Sequence, residues 1–410
     1  MTTSAAAVPS QLAMGSRLVV TIVTLLTLVQ PLATDLYLAA LPAIRNEYDS
    51  PVSLVQRTFT ALVLSFGVSQ LFWGPASDRF GRRPVMFFGL VAYGGGAFLG
   101  ALAPSIDVLI GARIIQGIGL AACMVCARAL VRDLYMPQQG THVMAQAMSM
   151  LATATMCIPV VGALLTQYLG WRATLLTMTL FAMAALALVV LRIPETVPKR
   201  QPGALDVREL FHTYFRIARN PSFLSWTALN CSGYAANFGF YSGSAYLFIE
   251  TYGVSQVNFG LIIGGASVTY LAGTLLCRRW IAQMGIVGAV KRAAWLSIAA
   301  ALLFIIPQMA TDHSPLTLTA ALWVMLLAYG IHQPCGHVGQ ASAFPLNAGA
   351  ASALGGFAFA AAAFLSGSWL GYMFKPDSSA VLSLSVGSLS AASGIIALTL
   401  VQQHGKPPAC

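Results

Sequence analysis

Apolar runs long enough to cross a bilayer follow one another along this chain. Six fall at about 17–40, 55–76, 84–104, 107–130, 143–168 and 172–192. After a polar stretch from Pro194 to Asn220, six more fall at about 222–249, 257–277, 288–307, 316–338, 346–373 and 379–402. A spanning helix needs ~20 such residues, because its backbone N–H and C=O groups must be satisfied within the segment. Barrel strands are about half as long and alternate in character, so a β-barrel is excluded. A soluble fold is excluded by charge: only 8% of the 410 residues are charged and 57% are apolar, against roughly 25% charged in soluble domains. The predicted fold class is an all-α polytopic membrane protein with twelve transmembrane helices. No small-residue cleavage site follows the first run, so it is read as an uncleaved span.

The distribution of positive charge predicts orientation. With the N-terminus in the cytoplasm, 17 of the 22 Lys and Arg residues lie on the cytoplasmic side and four (Arg45, Arg57, Arg172, Lys375) lie outside, with Arg113 alone inside a span. Both termini are therefore expected in the cytoplasm. The net charge of +10 is this bias, and no nucleic-acid partner is expected. The basic segment 194–221 reads as a cytoplasmic linker with an interfacial helix. It divides an N-terminal bundle of six helices, 1–193, from a C-terminal bundle of six, 222–410. A faint repeat aligns Gly81 with Gly285, close to half the chain apart, the pattern of parallel halves with a site between them. The seven cysteines form no disulfide framework, and Cys123-x-x-Cys126 reads as helix packing. His332 and His337 lack an acidic neighbour, so no metal is expected.

Several groups carry candidate chemistry. The loop Gly74-Pro-Ala-Ser-Asp78-Arg79-Phe-Gly81-Arg82-Arg83-Pro84 combines a turn with charges that suit a gate: glycines allow tight backbone, and the arginines can pair with acids at other helix ends. Asp35 is the one acid well inside a span, and Arg113 the one base. Charges in such places are costly, face the bundle interior and mark function. Each lies ~10 Å below the outer face at ~1.5 Å per residue, so contact between them is open. Burial and a nearby cation act on the Asp35 carboxyl in opposite directions, which suits a group that gains and loses a proton. Gln116 and Gly117 share a helix face with Arg113. Asn230, Tyr234, Asn237, Tyr241 and Ser244 form one polar stripe at helical spacing. With Tyr37 and Gln116 they are the candidate substrate wall, suited to a weakly polar, amphipathic ligand. Gln333, His337 and Gln340 share a face near the cytoplasmic end of their span.

The loop from Gly74 to Pro84 resembles the loop 2–3 signature of the major facilitator superfamily. Arg113-Ile-Ile-Gln116-Gly117 resembles the family's span 4 motif, whose arginine is associated with proton coupling. Pro159-Val-Val-Gly162-Ala163 matches the span 5 antiporter signature in part, with Ile158 where that signature has glycine. Leu32-Ala33-Thr34-Asp35-Leu-Tyr37 and Arg128-Ala-Leu-Val-Arg132-Asp133-Leu-Tyr135 are similar to the Bcr/CflA branch of drug:proton antiporters. The resemblance implies the major facilitator fold in a bacterial inner membrane, and a monomer exchanging protons for small amphipathic compounds. It makes Asp35 and Arg113 the coupling pair. Gly74, Asp78, Arg79, Gly81, Arg82, Arg83, Arg132 and Asp133 become the gate, and Gly117, Pro159 and Gly162 helix-packing positions. The proton gradient replaces any cofactor. Uptake of a metabolite such as a nucleoside is the alternative, because the span 5 signature is incomplete. A receptor would not need the loop signature. No cluster of His, acids or Ser/Lys near an interface suggests an enzyme, and no phosphate-binding loop suggests ATP drive.

Overall fold

A computed structural model of the chain describes residues 16–135, 137–196, 206–309, 314–344, 347–373 and 379–405. Lys199 and Arg200 of the expected linker, and Lys375 and Lys406 of the charge count, lie outside the described residues. The described chain is helical throughout. The elements are α1 (Ser16–Leu38), α2 (Leu41–Tyr48), α3 (Val52–Phe80), α4 (Arg82–Ala101), α5 (Ile106–Leu134), α6 (Pro137–Leu169), α7 (Arg172–Arg192), α8 (Val207–Ala218) and α9 (Pro221–Ala245). A π-helical turn (Tyr246–Thr251) leads to α10 (Gln256–Met309), α11 (Pro315–Ser342), α12 (Ala348–Met373), α13 (Ala380–Leu398) and α14 (Leu400–His404).

Ten of these helices are long and apolar enough to cross a membrane. The helix α10 counts as one of them, yet it breaks at Gly285, whose φ of 73° and ψ of 177° interrupt the helical ladder. Start signals are written locally. The Asn220 side chain accepts from the N–H groups of Ser222 and Phe223 at 2.9 and 3.1 Å, with Pro221 at the first helical position. Ser105 caps α5 and Ser314 caps α11 in the same way, satisfying donors that a helix start leaves free. Large apolar side chains such as Phe88, Leu180, Leu191, Trp295 and Leu365 remain exposed on the outside, where lipid is the solvent that suits them.

Between helices the packing relies on missing side chains. A Cβ on Gly117 would lie 2.4 Å from the Leu62 carbonyl oxygen, and one on Gly162 would lie 2.3 Å from that of Leu36. Thus α5 sits directly on α3, and α6 on α1, backbone against backbone. The Pro159 carbonyl lies against Gly260 of α10, 3.0 Å from where a Cβ would stand. The long helix α3 follows α12 along its length. Gln56 meets Gly371, Thr60 meets Gly367, Gly67 meets Ala360 and Gln70 meets Gly356. This antiparallel seam joins the helices before residue 196 to those after 206.

Candidate functional site

Arg113 is wholly buried. Its guanidinium donates to the Gln116 side-chain oxygen at 2.6 Å, the Ala33 carbonyl at 2.7 Å and the Thr58 carbonyl at 3.3 Å. Its carbon lies 3.9 Å from the centre of the Tyr37 ring, and the Tyr37 hydroxyl shares a hydrogen bond with Thr58 at 2.9 Å. Two carbonyls, an amide and an aromatic face thus stand in for a carboxylate around this cation.

Asp35 is not that carboxylate. Ala33 and Tyr37 are four residues apart on one face of α1, whereas Asp35 stands two residues from each, on the opposite side. Equal depth does not bring the two charges together, because they project from different faces. Tyr37 and Gln116 also depart from the expected substrate wall: both are fully buried and engaged with Arg113 or Thr58. They position Arg113 against α1 and do not reach the cavity.

Asp35 is half-buried, accepts from the Thr34 hydroxyl at 2.7 Å, and turns toward α9. Its charge acts on the phenols of Tyr234 and Tyr241, and the Gln30 side chain hydrogen-bonds Tyr234. The Tyr234 ring meets Phe359 of α12 edge-on at 5.4 Å. Beside it Phe59 of α3 stacks on Phe238 at 4.5 Å. Helices α1, α3, α9 and α12 therefore bring an aromatic cluster against the half-buried Asp35 carboxylate, a candidate chamber for a ligand.

The α9 stripe divides. Tyr234 and Asn237 are half-buried, and Asn237 Oδ1 has no hydrogen-bond partner among the described residues. Asn230 is buried against Gly336, with both amide atoms unpartnered among the described residues. Ser244 departs from the expected wall, because it is fully buried and donates to the Tyr241 carbonyl of its own helix at 3.4 Å.

At one end of the bundle Arg82, 4% exposed, pairs with Asp78 at 2.6 Å and Asp133 at 2.9 Å, and bonds the Ser77 hydroxyl. Arg132 lies 3.9 Å from Asp78 and 3.7 Å from Asp133. The Glu195 carboxylate accepts from the Arg82 backbone N–H at 2.9 Å and from Thr196 N–H at 3.0 Å. Gly81 makes the turn with φ 109° and ψ 157°. Arg83 donates to the Val190 carbonyl at 2.9 Å. Of the expected gate residues, Arg79 stands apart from these contacts, over the exposed Phe80 ring at 5.4 Å, and Gly74 joins them only through its backbone carbonyl, which accepts from the Ser77 hydroxyl at 2.8 Å. All these partners precede residue 197, so the cluster binds α3, α4, α5 and the end of α7 to one another.

The opposite end is held between the two sets of helices. Arg45 of α2 pairs with Glu250 at 2.5 Å, and the Gln56 amide donates to the Ser242 carbonyl at 2.8 Å. Nearby, Glu47 accepts from Arg172 and from Trp171 Nε1 at 2.6 Å. Partial burial works to raise the Glu47 carboxyl, but the hydrogen bonds from Arg172 and Trp171 outweigh it and hold the group below the usual carboxylate range. Toward the Arg82 end a cavity of about 460 Å³ opens beside His337, Val338, Ala341 and Ser342 of α11. Gln340 does not share it: it is buried and donates to Thr227 at 3.1 Å. Gln30, Gln56, Gln70 and Glu195 are the residues sequence reasoning missed. Lone polar residues in apolar runs carry no pattern.

A bundle of helices long and apolar enough to span a membrane, with Arg113 and Asp35 set inside those spans, suits a membrane carrier. The chain belongs to the Major Facilitator Superfamily, which it matches over residues 23–367. It is 31% identical over 299 residues to a chloramphenicol resistance protein of Pseudomonas aeruginosa, covering 73% of this chain and 70% of the relative. It is 26% identical over 261 residues to a bicyclomycin resistance protein homolog of Haemophilus influenzae, covering 64% and 66%. These relatives bear out the expected Bcr/CflA branch. The fold is shared with the inward-open xylose transporter of Escherichia coli, at a TM-score of 0.73, 15% identity and coverage of 93% and 95%.

Proposed function

We propose that this chain is a proton-driven exporter of small amphipathic antimicrobial compounds. It works as a monomer of twelve spans in a bacterial inner membrane, with both termini in the cytoplasm. Its halves are 1–193 and 222–410, joined by 194–221. The twelve-span count is supported by the two arms of α10, which separate at Gly285, and by α9 with its 25 residues. Orientation is supported by the arginines gathered at the Arg82 end. The resistance proteins among the relatives support export of drugs.

The observation that carries the proton reading is Asp35: a half-buried carboxylate within a spanning helix, beside the Tyr234 ring, whose one hydrogen bond among the described residues comes from its neighbour Thr34. Protonation removes a charge that hydrocarbon and aromatic rings solvate poorly. Substrate in the chamber and a proton on Asp35 therefore compete for one place. Arg113 acts from behind, holding the backbone of α1 at Ala33 while the acid two residues on changes state. Across the membrane potential each charge moved is worth ~2.3 kcal/mol per 100 mV. The test is Asp35→Asn, with Asp35→Glu as the titratable control, assayed in everted vesicles. Wild type and Glu should release protons when substrate is added under an imposed gradient, and Asn should not. Substrate-induced proton release that survives in Asn would remove Asp35 from the coupling.

A further inference from the structure

Arg128 lies on the same helix as Arg113, fifteen residues further toward the Arg82 end, ~22 Å at ~1.5 Å per residue. Its setting is the reverse of Arg113's. From Cys126 to Val131 every other residue is buried, and Arg128 alone is exposed. The side chain therefore leaves a packed helix face, on the side of α5 that meets Gln70 of α3. A guanidinium has five N–H donors. One of Arg128's reaches Gln70 Oε1 at 3.3 Å, a long bond to a neutral acceptor. No ion pair among the described residues includes Arg128. The acids near this end are already engaged, Asp78 and Asp133 by Arg82 and Arg132.

The surroundings are ordered as a recognition site would be. Gln70 is buried and wedged on Gly356 of α12, where a Cβ would approach its oxygen to 2.6 Å. His337 of α11 is exposed and lines the cavity of about 460 Å³, its ring edge-on to Phe359 at 5.5 Å. The Arg128 charge is close enough to act on that ring. Phe359 is also the ring that meets Tyr234 in the Asp35 chamber. The mouth and the chamber thus share an aromatic wall.

We propose that Arg128, steered by Gln70, is a binding residue for the acceptor end of the substrate: a carboxylate or a strongly polarised carbonyl held at the cavity mouth. The proposal rests on the transport reading above and adds its chemical preference. Asp35 near Tyr234 and Arg128 near His337, on either side of Phe359, would offer a bound substrate opposite charges at its two ends. An amphipathic molecule with an anionic or acceptor-bearing tail fits that axis. A molecule with a cationic tail meets the guanidinium unscreened by any acid, and is disfavoured.

The experiment uses the full-length protein in lipid nanodiscs and three probes sharing a dansyl core: dansylglycine, dansylglycinamide and a dansyl probe ending in trimethylammonium. Equilibrium binding is read by fluorescence. Wild type should bind the carboxylate most tightly and the ammonium least. Arg128→Gln should weaken dansylglycine by roughly 10- to 100-fold, the span of a hydrogen bond to a charged group. It should weaken the carboxamide by only a few fold and leave the ammonium probe unchanged or tighter. Arg128→Lys keeps the charge and should restore much of the carboxylate preference, which a general folding defect would not allow. A change uniform across the three probes, or none, makes Arg128 an ordinary solvated positive charge and overturns the proposal. So does a wild type that prefers the ammonium. Binding is independent of the proton cycle: if Asp35→Asn still releases protons while the probe ranking holds, the coupling scheme falls and the mouth site stands.

Discussion

Replacing Gly81 by alanine probes the Arg82 cluster most directly. Gly81 has φ 109° and ψ 157°, a region that side chains other than glycine's occupy at about 1–3 kcal/mol. The new Cβ would also sit 2.3 Å from Glu195 Oε2, so the carboxylate has to withdraw. With it go the 2.9 Å bond from Arg82 N–H and the 3.0 Å bond from Thr196 N–H, each worth roughly 1 kcal/mol or somewhat more because the acceptor is charged. The expected total is about 3–5 kcal/mol. Unfolding in mixed micelles of rising SDS content would measure it. Glu195→Ala alone should lose only the hydrogen bonds. The double variant should lose clearly less than the sum, because its alanine no longer strikes a carboxylate. A Gly81→Ala loss below about 0.5 kcal/mol, well under the cost of that backbone region, would refute the reasoning. Strict additivity in the double variant would refute the contact itself.

Three further outcomes follow from the same geometry. Arg113→Lys should abolish transport while the protein still inserts, because one ammonium cannot reach the Ala33 and Thr58 carbonyls and Gln116 together while covering the Tyr37 ring; wild-type transport rates in proteoliposomes would contradict it. A reducible methanethiosulfonate cross-link between Arg45→Cys and Glu250→Cys should stop turnover and reductant should restore it, because that contact joins the two sets of helices. The ion pair itself is partly exposed and should contribute only ~1 kcal/mol or less. For Glu47, whose folded pKa is lowered, the stabilisation is present above the ordinary carboxylate pKa and disappears as pH falls through the lowered one. Melting profiles from pH 7 to pH 3 should therefore decline on the acid side, and Glu47→Gln should decline less.

Much of the architecture was legible along the chain because each spanning helix satisfies its own backbone and declares itself by length and apolarity. Their caps, Ser105, Asn220 and Ser314, are local too. Gly117 and Gly162 were readable as packing positions, since close helix contact in lipid depends on small residues. The motif charges Asp78, Arg82 and Asp133 were found by pattern, and the fold brings Arg82 within 3 Å of each acid. Asp35 and Arg113 were singled out correctly as charges inside spans, but depth along a helix says nothing about which way a side chain turns. Tyr37 and Gln116 lined up with a cavity on paper, and tertiary packing turned them into Arg113's supports. Ser244 was in phase with the stripe and satisfied itself on its own helix.

The linear order of residues determined that this protein lives in a bilayer, where its helices begin and end, and which few charges had to be buried. These are local matters, set by hydrocarbon thickness and by the backbone's need for hydrogen bonds. Only the assembled bundle decided who meets whom: a cation cradled by carbonyls and a ring, an acid turned to aromatic neighbours, a second arginine left exposed. Partnerships of that kind depend on helix rotation and tilt across distances of fifty to two hundred residues, as in Arg113–Thr58 and Arg45–Glu250, and no local spacing encodes them.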